Sequence, residues 1–159
     1  MPSAQIRPLP TPDTTRHLAE TLAPLLLAGD TVLLSGPIGA GKTHFARSAI
    51  QKRLATLNRI EDVPSPTFTL VQVYDCGDVE IWHADLYRLT SAEDVIELGL
   101  DDALEDAITL IEWPDRLGRN LPSGACRIDF QIERNGRVAT IEWADDRRVS
   151  WLEHFDRTA

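Results

Sequence analysis

The stretch Gly36-Pro-Ile-Gly39-Ala-Gly41-Lys42-Thr43 has the residue types and the spacing to hold a polyphosphate. It fits the pattern G-x-x-x-x-G-K-[ST], the P-loop. Glycines at these places let backbone N–H groups turn inward and approach phosphate oxygens closely. A helix starting here adds free N–H donors and partial positive charge beneath the same phosphates. Lys42 would bring a full positive charge to the β- and γ-phosphates, and Thr43 a hydroxyl to Mg2+. Gly36, Ile38, Gly39, Ala40, Gly41 and His44 complete the expected phosphate cradle. The chain has only two lysines, Lys42 and Lys52, so the loop lysine is not one hit among many.

Such a loop needs a strand before it and a helix after it. Thr31 to Ser35 is a short apolar run with a β-branched start, which reads as a buried strand. Phe45 to Leu57 reads as the helix. Binding phosphate is not yet chemistry, and hydrolysis or transfer needs further groups. In open α/β sheets the site lies beyond the carboxyl ends of the strands. That rule selects Thr67, in a rigid loop beside a strand start, Asp85, which closes a hairpin strand, and Glu112, which follows a very apolar strand. Asp85 could hold Mg2+ through water, and Glu112 could position water or also ligate the metal. Each acid could equally cap a helix or sit in solvent.

The remaining elements follow from pattern. Residues 4–9 form a short strand closed by Pro8, Pro10 and Pro12. Asp13 caps a helix carrying Leu18, Ala19, Leu22, Leu25 and Leu26, which Pro24 kinks or shortens and Gly29 stops. Pro64 to Thr67 is extended or turned. Phe68 to Tyr74 and Val79 to His83 form a hairpin around Asp75 to Asp78. Ser91 resembles a capping-box residue for a helix of one to two turns ending at Gly99. Ala107 to Ile111 is a buried strand, and Leu117 to Ser123 a loop. Arg127 to Glu133 and Arg137 to Trp143 alternate around Asn135-Gly136, a strong hairpin signal. Ile128, Phe130 and Ile132 take one face and Ala139, Ile141 and Trp143 another. Trp151, Leu152 and Phe155 suit an apolar stripe on a terminal helical turn. The expected fold is α/β: one P-loop domain over 1–159, with a central mixed sheet (a parallel core plus antiparallel hairpins) flanked by helices.

Composition narrows the partners. The formal net charge is -9, from 25 acids against 16 bases. A surface of that sign does not bind nucleic acid by general electrostatics, and it suits a basic protein partner. From Glu93 to Asp106 there are seven acids and no base, which reads first as a solvated face. Cys76 and Cys126 lack any metal or redox spacing and read as ordinary thiols. No window holds the ~18 apolar residues of a membrane span, and the start shows no secretory pattern, so a cytoplasmic protein is expected.

Taken together, Gly36 to Thr43, Ser65-Pro-Thr-Phe-Thr-Leu-Val71, His83-Ala-Asp-Leu-Tyr-Arg88 and Ile111-Glu-Trp113 resemble the TsaE (YjeE) family in order and spacing. Glu97-Leu-Gly99 and Leu121-Pro122 are similar as well. That family comprises small bacterial P-loop ATPases required for threonylcarbamoyladenosine modification of tRNA. The resemblance implies ATP and Mg2+ as cofactors, with Thr43, Asp85 and Glu112 serving the metal. It implies that Thr67 acts as a switch threonine, that Trp113 lies close to the nucleotide, and that the entry to the first helix, Asp13 to Thr15, faces the adenine side. It also implies TsaB and TsaD as protein partners, with no tRNA bound by this subunit alone. One departure is His44, where many members carry a second threonine. Two other readings of the P-loop stay open, a small-molecule kinase using Arg116 and Arg119 as a lid pair, and an ATP-sensing module without turnover. Arg88 is the nearest candidate for an arginine finger. A GTPase is disfavoured, because neither lysine sits in an Asn-Lys-x-Asp context.

Lys42 is expected to meet phosphate and to lie outside the core. Lys42→Ala should therefore greatly weaken ATP binding while leaving the fold intact. Calorimetry on the folded variant checks this, and unchanged affinity would remove the P-loop argument.

Overall fold

The computed structural model describes residues 4–91, 93–144 and 150–158. The seven strands are β1 (Gln5–Leu9), β2 (Thr31–Ser35), β3 (Val71–Asp75), β4 (Glu80–Asp85), β5 (Ile108–Glu112), β6 (Cys126–Glu133) and β7 (Gly136–Glu142). They form one sheet in the order β1-β7-β6-β2-β5-β4-β3. The four central strands, β6, β2, β5 and β4, run parallel. Antiparallel pairs extend the sheet on both sides. This is the mixed α/β architecture expected from the sequence.

Burial on both faces explains the apolar run of β2. Val32 and Leu34 enter one core, with Ile108 and Leu110 of β5 and Ile128 and Phe130 of β6. Leu33 enters the other, with Ala84, Leu86 and Ile111. The first core is covered by α1 (Pro12–Leu22), α2 (Lys42–Ala55) and α5 (Trp151–Thr158). Trp151, Leu152 and Phe155 are buried there as expected, on a helix longer than a single turn. The second core is covered by α4 (Leu100–Asp106), which follows the short α3 (Glu93–Glu97).

Several boundaries differ from the sequence reading, each for a local reason. Thr11, not Asp13, caps α1: its hydroxyl accepts the Thr14 N–H at 3.3 Å. Pro12 has the fixed φ that suits the first helical position, so the cap falls one residue before it. Asp13 instead sits in the first turn, paired with Arg16 at 3.4 Å. Pro24 does end α1, in a 3-10 turn over Ala23–Leu25. Pro8 lies within β1 rather than closing it, which an edge strand tolerates. α2 starts at Lys42, three residues ahead of Phe45. The strand expected from Phe68 begins only at Val71. Residues 67–70 turn instead, with the Leu70 N–H on the Pro66 carbonyl at 2.7 Å and Leu70 at φ 68°.

α4 was not foreseen as a helix separate from α3. It buries Leu100 and Ala103 and exposes Asp101, Asp102, Glu105 and Asp106, so its acids are the solvated face of an amphipathic turn. Residues 117–120, expected as loop, belong to a kinked 3-10 segment over Pro114–Asn120. In the β6–β7 hairpin Glu133 pairs with Gly136, which puts the turn at Arg134-Asn135, one residue early. Gly136 is needed elsewhere: a Cβ there would lie 2.7 Å from the Leu9 carbonyl oxygen, where the chain leaves β1. The same register pairs Ile128 with Ile141 and Phe130 with Ala139, so the two expected faces are one face, packed into the first core. Ile132 is half exposed.

Gly36 is the most closely packed of the glycines. It sits at φ 133°, and a Cβ on it would lie 2.4 Å from the backbone oxygen of Phe130. Neither atom is the end of a flexible side chain. Gly36→Ala should therefore destabilise the protein by on the order of 1–3 kcal/mol or more, the scale of overpacking. A drop in the denaturation midpoint at constant slope would show it.

Candidate functional site

The parallel strands deliver the site. β2 ends at Ser35, and the chain turns through Gly36–Gly41 into α2, so Lys42 and Thr43 open the helix. β4 and β5 run side by side in parallel register, with Asp85 opposite Glu112. Both carboxylates therefore stand on the same edge, beside the first turn of α2. A cleft of about 470 Å3 lies between them and is lined by Ile38, Gly39, Gly41, Lys42, Thr43, His44, Thr67, Asp85, Glu112 and Trp113 among others.

Thr43 Oγ1 donates to Glu112 Oε1 at 2.6 Å. The other carboxylate oxygen of Glu112, Oε2, meets His83 Nε2 at 2.7 Å. Asp85 accepts the Tyr87 N–H at 3.1 Å and the Thr67 hydroxyl at 3.5 Å. Thr67 in turn is 2.7 Å from Ser65 Oγ. The loop that carries Thr67 is tied to α2 by Arg47 Nε, which donates to the Val63 carbonyl at 2.8 Å, and to β4 by the Asp85 N–H on the Leu70 carbonyl at 2.9 Å.

Lys42 is more buried than expected, at 5% exposure. Its ammonium donates to the carbonyls of Gly36 and, at 3.0 Å, Pro37, and lies 4.1 Å from the centre of the Trp113 ring. Burial lowers its pKa from the ordinary lysine value, and the charges of Glu112 and Asp85 oppose that shift. Trp113 follows Glu112 in a left-handed conformation, φ 58°, which swings its ring over the lysine and against Tyr87, with ring centres 4.9 Å apart. Burial raises the pKa of Asp85 above the usual aspartate value. The Tyr87 N–H partly offsets the shift, and the nearby Glu112 carboxylate adds to it.

Three expected site residues lie outside this cleft. Gly36 sits behind the loop, its carbonyl on Lys42. Ala40 and Thr15 are buried and line an adjoining cavity of about 280 Å3, together with Thr11, Pro12, His44 and Arg137. The Thr15 methyl packs beneath Gly41. His44 borders both cavities and donates from Nε2 to the Pro12 carbonyl at 2.9 Å, joining α2 to the start of α1. Arg88 reaches the Thr67 carbonyl at 3.4 Å, and Arg116 lies 6.0 Å from the Tyr87 ring, whereas the Arg119 side chain falls outside the described residues.

Sequence reasoning gave no role to Ser65, Tyr87, His83 or Arg137. The first three stand inside the quoted motifs, and for His83 the signal was its place two residues before Asp85 on a buried strand, hence on the same face. Arg137, which donates to the Gly39 carbonyl at 3.2 and 3.1 Å, had no such signal.

A parallel-cored sheet whose P-loop joins a central strand to a helix, with carboxylates on the two adjacent strand ends, defines a P-loop α/β protein. The family model described as threonylcarbamoyl adenosine biosynthesis protein TsaE matches residues 9–140. The chain belongs to the TsaE family. It is 38% identical over 130 residues to the tRNA threonylcarbamoyladenosine biosynthesis protein TsaE of Rickettsia felis, covering 81% of this chain and 74% of that protein. With the protein of the same name from Mycobacterium tuberculosis the identity is 37% over 149 residues, covering 85% and 84%. The crystal structure of Bacillus subtilis YdiB matches with a TM-score of 0.76 at 25% identity, over 99% of this chain and 97% of that one. No helix among the described residues is long and apolar enough to cross a membrane.

Burial of Asp85 has a measurable consequence. Its raised pKa means that the folded protein holds the Asp85 proton more tightly than the unfolded chain does, so this group lowers stability as pH rises through its titration. Above that range the charged, desolvated form carries a penalty that an amide lacks. Asp85→Asn should then melt at a higher temperature than the parent at pH 7, in buffer without nucleotide or Mg2+. The gap should close as pH falls into the carboxylate range. Thermal denaturation across pH checks both the sign and the window.

Proposed function

We propose that this chain binds ATP with Mg2+ and hydrolyses it in support of TsaB and TsaD during threonylcarbamoyladenosine modification of tRNA. The observation that carries the reading is the contact of Thr43 Oγ1 with Glu112 Oε1 at 2.6 Å, beside Asp85 on the neighbouring strand. This places a P-loop hydroxyl and two strand-end carboxylates on one spot at a helix start.

The donor set fits the cation. A hydroxyl and carboxylates are hard oxygen ligands of the kind Mg2+ takes. Among the described residues no group of three or more His, Cys, Asp or Glu side chains could hold a metal ion, so the phosphates would complete the coordination. Thr43 would be a direct ligand, with Asp85 and Glu112 acting directly or through water. When bound, Mg2+ neutralises charge on the β- and γ-phosphate oxygens.

The protein's own groups supply the rest. Lys42 exchanges its two carbonyl partners for phosphate oxygens and carries its charge into a site of low dielectric, where it counts for more than in water. The backbone N–H groups of the loop and of the first turn of α2 would receive the polyphosphate, apart from that of Ala40, which donates to the Pro37 carbonyl at 3.2 Å. Glu112 and Asp85 are the groups placed to orient an attacking water, and the Thr67 hydroxyl sits beside Asp85 to meet the terminal phosphate. Trp113 lies over Lys42 and would sense the nucleotide directly. The adjoining cavity beside Thr15 and His44 is the natural place for the base. With Arg88 engaged on the Thr67 carbonyl, turnover of the chain alone should be slow, and a partner is the fitting source of any further arginine.

A group that acts mainly on charge developing in the transition state changes turnover more than affinity. Asp85→Ala and Glu112→Ala should still bind ADP, read as a change in tryptophan emission that Trp113→Phe abolishes. Their single-turnover phosphate release, alone and with TsaB and TsaD, should fall by about 100-fold or more. Either variant releasing phosphate like the parent in the full complex strikes that carboxylate from the site. ADP formation that needs an added small-molecule acceptor, with the phosphoryl group carried on that acceptor and no free phosphate released, would favour a kinase. ATP-dependent capture of TsaB and TsaD without any phosphate release would favour a sensing module.

A further inference from the structure

His83 is wholly buried, and no motif role has been given to it. Along β4, Ile81, His83 and Asp85 alternate onto the face that carries α2, while Ala84 and Leu86 face the other core. The imidazole reaches across to β5, where its Nε2 lies 2.7 Å from Glu112 Oε2. Glu112 itself is 2% exposed. Its two oxygens are thus held from opposite sides, Oε1 by the Thr43 hydroxyl of α2 and Oε2 by the ring on β4.

A carboxylate that accepts at both oxygens requires the proton to sit on Nε2. His83 Nδ1 is buried and has no partner among the described residues. A proton there would be an orphaned donor, which folded proteins avoid more strictly than an unused lone pair. The geometry therefore selects the tautomer with Nε2–H and a bare Nδ1.

We propose that His83 is a positioning residue, whose Nε2–H fixes one oxygen of Glu112 so that the other is presented to the Thr43 side of the cleft. The inference rests on the hydrolase reading above. The two holds on Glu112 are independent. Thr43 belongs to the helix and can turn its hydroxyl to another oxygen ligand; His83 belongs to the sheet and stays. When the Thr43 hydroxyl leaves, Oε1 becomes free for water or metal, while Oε2 keeps the carboxylate from rotating. A histidine that only compensates a buried charge would alter stability, without separating turnover from binding.

Two substitutions divide these roles. In His83→Gln the amide nitrogen can occupy the place of Nε2, and in His83→Asn it stops at the place of Nδ1, short of Glu112. His83→Asn should bind ADP within about threefold of the parent, by Trp113 emission, yet release phosphate in a single turnover about 10–100-fold more slowly, the usual cost of losing a partner of a metal-site ligand. His83→Gln should recover most of that rate. Combined with Glu112→Gln, His83→Asn should add no further loss, because it acts through Glu112. Long-range 1H–15N spectra of the parent should show His83 protonated at Nε2. An Nδ1-protonated ring, a His83→Asn rate equal to the parent's, or equal losses in rate and affinity would each overturn the inference with the hydrolase reading intact. A parent that releases no phosphate, alone or with its partners, overturns that reading and the role of His83 in turnover with it.

Discussion

Burying the carboxylate of Glu112 sets the terms for everything around it. A charge taken out of water is costly unless donors surround it. The chain supplies three groups from two elements: from α2 the Thr43 hydroxyl and, through space, the ammonium of Lys42, and from β4 an imidazole. Each can arrive only if its element is in register. The parallel pairing of β4 with β5 brings His83 forward and Asp85 alongside. The sharp exit from β2 at Gly36, pressed on the backbone of β6, aims α2 so that Thr43 falls on the carboxylate. Sheet register, loop geometry and helix direction are thus mutually constrained at one side chain.

The same burial gives the site its electrostatic character. Lys42 and Asp85 are both pushed toward their neutral forms by desolvation, and each is restrained by charges or dipoles nearby. Opposite charges held close in a dry place interact strongly, and they do so without reorganising. The strands that carry this arrangement are packed on both faces, β2 and β5 each contributing side chains to two cores. Stability is spent at the strand ends and recovered in the layers behind them.

Features legible in the sequence were those written in adjacent residues. The P-loop, the apolar strands flanking it and the family motifs each depend on short spacing, and Asp85, Glu112 and Trp113 fell out of them. Features that depend on what packs from elsewhere were not legible. Asn135-Gly136 reads as a turn, yet Gly136 answers to the approach of β1 and the turn moves. Phe68 to Leu70 have strand-forming side chains, yet the hydrogen bond from Leu70 to Pro66 wraps them into a turn that leaves Phe68 86% exposed. The acids from Asp101 onward masked a helix whose apolar anchors, Leu100, Ala103 and the partly buried Leu104, are few. Arg137 reaches the P-loop from the far hairpin, and nothing local announces it.

The resting place of Lys42 carries its own arithmetic. Two carbonyl oxygens and an aromatic face already satisfy much of what its ammonium can offer. Any anion that recruits this lysine must replace those partners, so what it gains is a difference rather than a sum. A singly charged or poorly placed anion would gain little by the trade. An anion that also engages the helix start and the loop amides tips the balance. A loop that binds polyphosphate as proposed would thereby set a threshold on charge and shape, one that small anions do not meet, without any steric gate.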